Sequence, residues 1–234
     1  MTCLYKPVKN GIYEAHLEHF AEKQLPKDNK CFHKKHENIQ KIKLSNLTPN
    51  KTIFYFGANE RDFTKSIQSR LKAYGKLENS GVVRANKEGE AIVYLSCPQL
   101  YVNYDDKVYS RHLHFLYWND ALNKWNKNLY TQQVLCNISK ELLEKQMKKI
   151  YLVDVRLEGL MPYNKRWTVE KVFEALGIKD GNKLVPIVLY GKKDVDIVQQ
   201  MHDKLNKLGF LNTQTTTFSA PFLADNYVFR TFPK

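Results

Sequence analysis

Two short runs in the last third of the chain, Lys149-Ile-Tyr-Leu-Val-Asp-Val-Arg156 and Val185-Pro-Ile-Val-Leu-Tyr190, are apolar almost without interruption. A strand with one wet face alternates apolar and polar residues, whereas a strand covered on both faces does not need to. Each run is followed by a segment of helical period. The first begins near Thr168, turns Val169, Val172, Phe173 and Leu176 inward, and is closed by Gly177. The second carries Val198, Met201, Leu205 and Leu208 and is closed by Gly209. Apolar strands alternating with amphipathic helices predict an α/β domain with a mainly parallel sheet.

The preceding part has another grammar. Thr52-Ile-Phe-Tyr-Phe56 reads as a buried strand, and Phe63, Ile67, Leu71 and Tyr74 predict a helix from about Glu60 to a cap at Gly75. Gly81–Ala85 and Glu90–Leu95 flank the turn Asn86-Lys-Glu-Gly89 and predict a hairpin. Trp118 and Trp125 bracket another hairpin, with a return strand over Leu129–Cys136. A Ser139-capped helix then connects to the apolar runs. The expected organisation is a basic α+β domain with an antiparallel sheet or sandwich over residues 1–140, and an α/β domain over 147–234.

Charge narrows the partners. The formal net charge of +13 falls mostly on residues 1–150, where 25 Lys/Arg face 15 Asp/Glu. A basic surface favours encounter with nucleic acid, acidic polymers or acidic proteins. Lys65, Arg70 and Lys72 on the expected helix, together with Arg84, are the candidate polyanion contacts. No run of about 20 apolar residues needed for a bilayer span is found, and the N-terminus has no apolar signal core. The expectation is an intracellular protein, cytoplasmic or nuclear (a virion being a further setting), with its scattered cysteines Cys3, Cys31, Cys97 and Cys136 reduced.

Chemistry is most concentrated between Ser96 and Trp118. In a strand, His112 and His114 share a face with Leu116, while Leu113, Phe115 and Tyr117 take the other. Paired imidazoles admit several readings. Cys97 and Cys136 with both histidines would make a Cys2His2 zinc set; Cys97 beside His112 would make an activated nucleophile; hydrogen-bonded histidines would simply fill a sheet face. Cys31, His33 and His36, with His16 and His19, are a further set of zinc-ligand types on a lysine-rich segment.

Two resemblances bear on function. Leu152-Val-Asp-Val-Arg156, Pro186-Ile-Val-Leu-Tyr190 and Leu208-Gly-Phe-Leu-Asn212 resemble a rhodanese-like domain over roughly residues 147–222. That family places a nucleophilic cysteine at the end of the second strand, cradled by loop amides that lower its pKa. The matching residue is Gly191, and the loop continues Lys192-Lys193-Asp194-Val195-Asp196, setting carboxylates where the cradle takes an anion. The segment after the first strand also departs, reading Met161-Pro-Tyr-Asn-Lys-Arg-Trp167. The resemblance therefore implies a catalytically inactive module, with Asp154 and Arg156 structural. Gly81–Gly89, Pro98–Tyr101 and Arg111-His-Leu-His-Phe115 resemble the β-sandwich of intradiol dioxygenases, which implies Tyr101, His112 and His114 as ferric iron ligands. The leading expectation is a non-enzymatic structural or protein-interaction protein without a cofactor. A nucleic-acid-binding protein and a metal-dependent enzyme at His112 and His114 are the alternatives.

Overall fold

A computed structural model describes residues 38–75, 77–103, 106–155, 168–191 and 195–216. The expectations for Cys3, Cys31, the histidines up to His36, Arg156, the 161–167 segment and Lys192–Asp194 lie outside them. The chain is of the α+β class, with mostly antiparallel sheets and one parallel sheet. In order it forms β1 (Ile39–Leu44), β2 (Thr52–Gly57), α1 (Arg70–Tyr74), β3 (Ser80–Arg84) and β4 (Ala91–Ser96). Next come β5 (Tyr101–Val102), β6 (Val108–Tyr109), β7 (His112–Asn119), β8 (Lys124–Trp125) and β9 (Tyr130–Gln133). The last part has α2 (Lys140–Gln146), β10 (Tyr151–Asp154), α3 (Val169–Leu176), β11 (Ile187–Tyr190), α4 (Val195–Lys207) and β12 (Thr213–Thr216).

Two compact units interleave along the sequence. Among the described residues, the first contains those up to Glu60, Leu71–Pro98 and His112–Val134; the second contains Arg61–Arg70, Gln99–Arg111 and those from Leu135.

In the first unit β7 is central. It pairs antiparallel with β2 and β9 and, at its far end, with β8, while β3 extends the sheet beyond β2. β1 and β4 form a separate antiparallel pair. Tyr55 of β2 reaches over that pair, its hydroxyl donating to the Tyr94 carbonyl at 3.4 Å. The expected hairpin of β3 and β4 is not one. The turn exists, with Asn86 N–H donating to the Glu90 carbonyl at 2.8 Å, but β3 pairs with β2 and β4 with β1. The chain therefore crosses between layers at residues 85–90, beside the β1–β2 connection, where Leu47 N–H donates to the Gly89 carbonyl at 2.9 Å. An alternating pattern marks strands but does not say which edge each will take.

Gly89 has φ +72°, and a Cβ there would run into the Leu47 carbonyl oxygen. Both the left-handed backbone and the clash oppose a side chain. Gly89→Ala is expected to lower stability by about 2 kcal/mol, read as a lower urea midpoint at unchanged slope.

In the second unit β10, β11 and β12 form a parallel sheet in that order, as the apolar runs predict. Val153, Ile187 and Leu189 face α3 and α4 through Val172, Leu176, Val198, Met201 and Leu205. Leu152, Val188 and Tyr190 face the other way, against Leu143 of α2, Ile138 and Phe63. Burial on both faces is the physical reason these strands do not alternate. The α3 caps are those read from sequence: Thr168 accepts from Lys171 N–H at 3.4 Å, and Gly177 closes the helix at φ 66°. Ser139 likewise caps α2, accepting from Leu142 N–H at 3.3 Å.

The helix expected over 60–74 is only its last five residues. Gln99 holds the preceding segment open, its carbonyl oxygen accepting from Arg61 N–H at 2.7 Å and Asp62 N–H at 3.0 Å. Ile67 then exchanges backbone hydrogen bonds with Leu100 and Val102, each at 2.8 Å. These long-range pairings replace the helical hydrogen bonds that its 3.6-residue period invited.

The cysteine expectation is corrected. Cys97 and Cys136 are both disulfide-bonded and fully buried. Distance along the sequence carries no information about which thiols a fold brings to bonding range.

His202 on α4 is buried beside Asp203 and Asn206. Burial is the largest influence and holds its imidazole below the ordinary value of 6.5; Asp203 opposes this and the Arg111 charge adds to it. The unfolded chain then takes up a proton that the folded chain refuses. Stability from this group is complete above about pH 6.5 and declines as pH falls below it. His202→Gln should flatten the acid side of a urea-midpoint profile taken between about pH 7.5 and 5.5.

Candidate functional site

The sheet register builds the site. Antiparallel pairing sets Phe56 of β2 and Thr131 of β9 directly opposite His114, on the same face. His112 lies two residues back along β7, so its ring falls beside that of His114, with centroids 4.7 Å apart. α1 closes over this face, and Gly75, at φ +50°, ends the helix just after Tyr74. The Tyr74 ring packs edge-on against Phe56, with centroids 5.6 Å apart.

The polar atoms of these side chains converge. His112 Nε2 lies 3.2 Å from His114 Nε2 and 3.1 Å from the Tyr74 hydroxyl. His114 Nδ1 lies 2.7 Å from Thr131 Oγ1. Tyr74, His112 and His114 are 3%, 7% and 5% exposed, so this is an interior cluster. Two imidazole lone pairs facing each other at 3.2 Å repel. The space between them therefore holds either a shared N–H or a cation.

The sequence-predicted partners of these histidines are engaged in other interactions. Cys97 and Cys136 are in disulfides, so neither offers a thiolate to zinc or acts as a nucleophile beside His112. Tyr101 pairs with Tyr109 across β5 and β6 in the second unit, ring stacked on ring at 5.6 Å. The sequence does not mark Tyr74 or Thr131 as partners of the histidines. Tyr74 carries the signal of an inward helical residue, and Thr131 that of a strand residue opposite a histidine, but neither signal gives a register. Among the described residues no group of three or more His, Cys, Asp or Glu side chains is placed to hold a metal ion.

The candidate polyanion residues do not form the expected helical face. Arg70 is buried, Lys65 lies 3.4 Å from the Asp62 carboxylate, and Arg84 donates to the Asn50 carbonyl at 2.9 Å. Lys72 is exposed on α1. In the second unit Gly191 directly follows β11 and is buried, and Asp196 lies in the first turn of α4. Asp154 is buried at the end of β10.

A second feature is on the surface. The outer face of the β1–β4 pair carries Ile39, Ile92 and Tyr94, each 38–40% exposed. Lys41 stands opposite Tyr94, and Lys43 opposite Ile92. Lys43 also reaches Glu90 at 2.6 Å. The alternate residues of these strands, including Leu44, Val93 and Leu95, are buried. Among the described residues no helix is long and apolar enough to cross a membrane. No family model and no curated protein matches this chain.

Proposed function

We propose that this chain is a non-enzymatic interaction protein whose outer β1–β4 face takes an acidic, partly apolar protein segment. The observation that carries this is the composition of the face: two isoleucines and a tyrosine, exposed together and flanked by Lys41 and Lys43. Apolar side chains interleaved with cations suit a partner that offers both carboxylates and apolar groups. A single-stranded nucleic acid would use lysines and aromatic faces, but the isoleucines offer it no stacking surface.

The second unit is, in this reading, a rhodanese-like module that serves packing or partner binding. Its support is the β10–β11–β12 parallel sheet with α3 and α4 on one face, together with Gly191 at the strand end where that family carries its nucleophile. No cysteine follows Cys136 in the sequence to replace it.

The test is a binding titration of the full chain against a labelled peptide of alternating Glu and Leu, with an oligothymidine as the comparison. The peptide is expected to bind more tightly, and Tyr94→Ser or Ile92→Ser to weaken it about tenfold. Tighter binding of the oligothymidine, or an unchanged affinity in both variants, would overturn the reading.

A further inference from the structure

We propose that Tyr74, His112 and His114 hold a divalent first-row metal ion of the zinc class, a site distinct from the surface face described above. Zinc binds imidazole nitrogen at about 2.0–2.1 Å and carboxylate oxygen at about 2.0–2.2 Å, so two donors on a tetrahedral ion stand roughly 3.3 Å apart. The His112–His114 Nε2 separation is 3.2 Å, and Tyr74 Oη lies 3.1 Å from His112 Nε2. Each spacing is that of two neighbouring corners of a coordination sphere, and His112 shares such a spacing with both His114 and Tyr74.

The outer contacts point the same way. A ligating histidine usually donates its other ring N–H to a fixed acceptor, which sets the tautomer and turns the free nitrogen to the ion. His114 has that partner in Thr131 Oγ1, at 2.7 Å from Nδ1. With Nδ1–H donating there, His114 Nε2 carries a lone pair directed towards His112. The Phe56 ring stands 5.3 Å from that of His114 and 5.6 Å from that of Tyr74, walling the donors with apolar surface. Neutral imidazoles suit such surroundings, and imidazole is a donor that zinc, copper and nickel all accept.

The Tyr74 O–H bond breaks, its proton passes to buffer, and the phenolate oxygen bonds the ion. The histidines bind as neutral rings, His112 carrying its proton on Nδ1, so they release none. One proton per ion is expected, because a bound cation lowers the pKa of its ligand.

The experiment uses the full chain purified without an affinity tag and titrated with zinc by calorimetry in two buffers of different ionisation enthalpy. Cobalt is substituted as a spectroscopic probe of tetrahedral coordination. The wild-type chain is expected to bind one ion at this site with release of about one proton. His114→Gln should lose that ion and its cobalt spectrum. Thr131→Val should weaken binding about 10–100-fold while leaving the ligands in place. Tyr74→Phe, which keeps the ring against Phe56, should bind at least about tenfold more weakly and release no proton. The two conservative variants preserve packing, so they remain informative if His114→Gln does not fold. The proposal is overturned if the wild-type chain takes up no zinc. It is equally overturned if His112→Gln and His114→Gln bind as wild type does, which would place the ion on other histidines.

Discussion

Asn79→Ala is expected to lower the stability of the chain by about 3 kcal/mol, read from urea unfolding, without altering surface binding. Asn79 is fully buried. Its amide donates to the Ala58 carbonyl at 2.8 Å and the Ser96 carbonyl at 3.1 Å, and its side-chain oxygen accepts from Ser96 N–H at 2.9 Å. Its own carbonyl accepts from Gly57 N–H at 2.9 Å. One side chain thus satisfies the backbone where β2 ends and where β4 ends. Removing it strands buried donors and acceptors, each costing about 1–3 kcal/mol. The sum is held near the lower end by local relaxation. A loss below about 1 kcal/mol would mean that water replaces the amide.

Arg111→Met is expected to have the other large effect, about 3–4 kcal/mol. Arg111 is 2% exposed, and Nη2 donates to the Phe63 carbonyl at 3.1 Å and to Asn212 Oδ1 at 2.7 Å. Asn212 in turn donates to the Leu184 carbonyl at 3.1 Å. The guanidinium therefore ties the Phe63 segment to the start of β12 and through it to the loop before β11. Methionine fills much of the volume but leaves an amide oxygen and a carbonyl unpaired in the interior. Lysine, a point charge without the planar fork, is expected to restore little of the loss. Thermal unfolding of both variants would check this, and a wild-type midpoint in either would exclude the role.

Legibility in the sequence followed how local the determining interaction was. α3 was readable from Thr168 to Gly177 because its caps and its inward positions lie within one short segment. β10 and β11 were readable because burial on both faces leaves an unbroken apolar run. The 61–69 segment was not, since its period says helix while Gln99 and Leu100, more than thirty residues on, supply its backbone partners. β3 and β4 looked like one hairpin because a turn between two strands does not reveal that they join different layers.

The candidate site divides the same way. That His112 and His114 share a face is a property of strand period, and it holds. Which side chains complete the cluster depends on register and on where α1 lands, and neither is written locally. Thr131 enters only because β9 pairs so that it opposes His114, and Tyr74 only because α1 covers that face. Arg111 shows the converse. Adjacent in sequence to His112, it serves the second unit as a buried tie.

The paired histidines either hold a metal ion, as proposed, or fill the sheet as a hydrogen-bonded pair. Long-range nitrogen–proton correlation spectra of the histidine-labelled chain, recorded before and after one equivalent of zinc, test this most directly. In the zinc form Nε2 of both His112 and His114 is expected to carry no proton and to shift as a metal ligand, while His114 keeps its Nδ1–H to Thr131. An Nε2–H that persists on either ring with zinc present would contradict it.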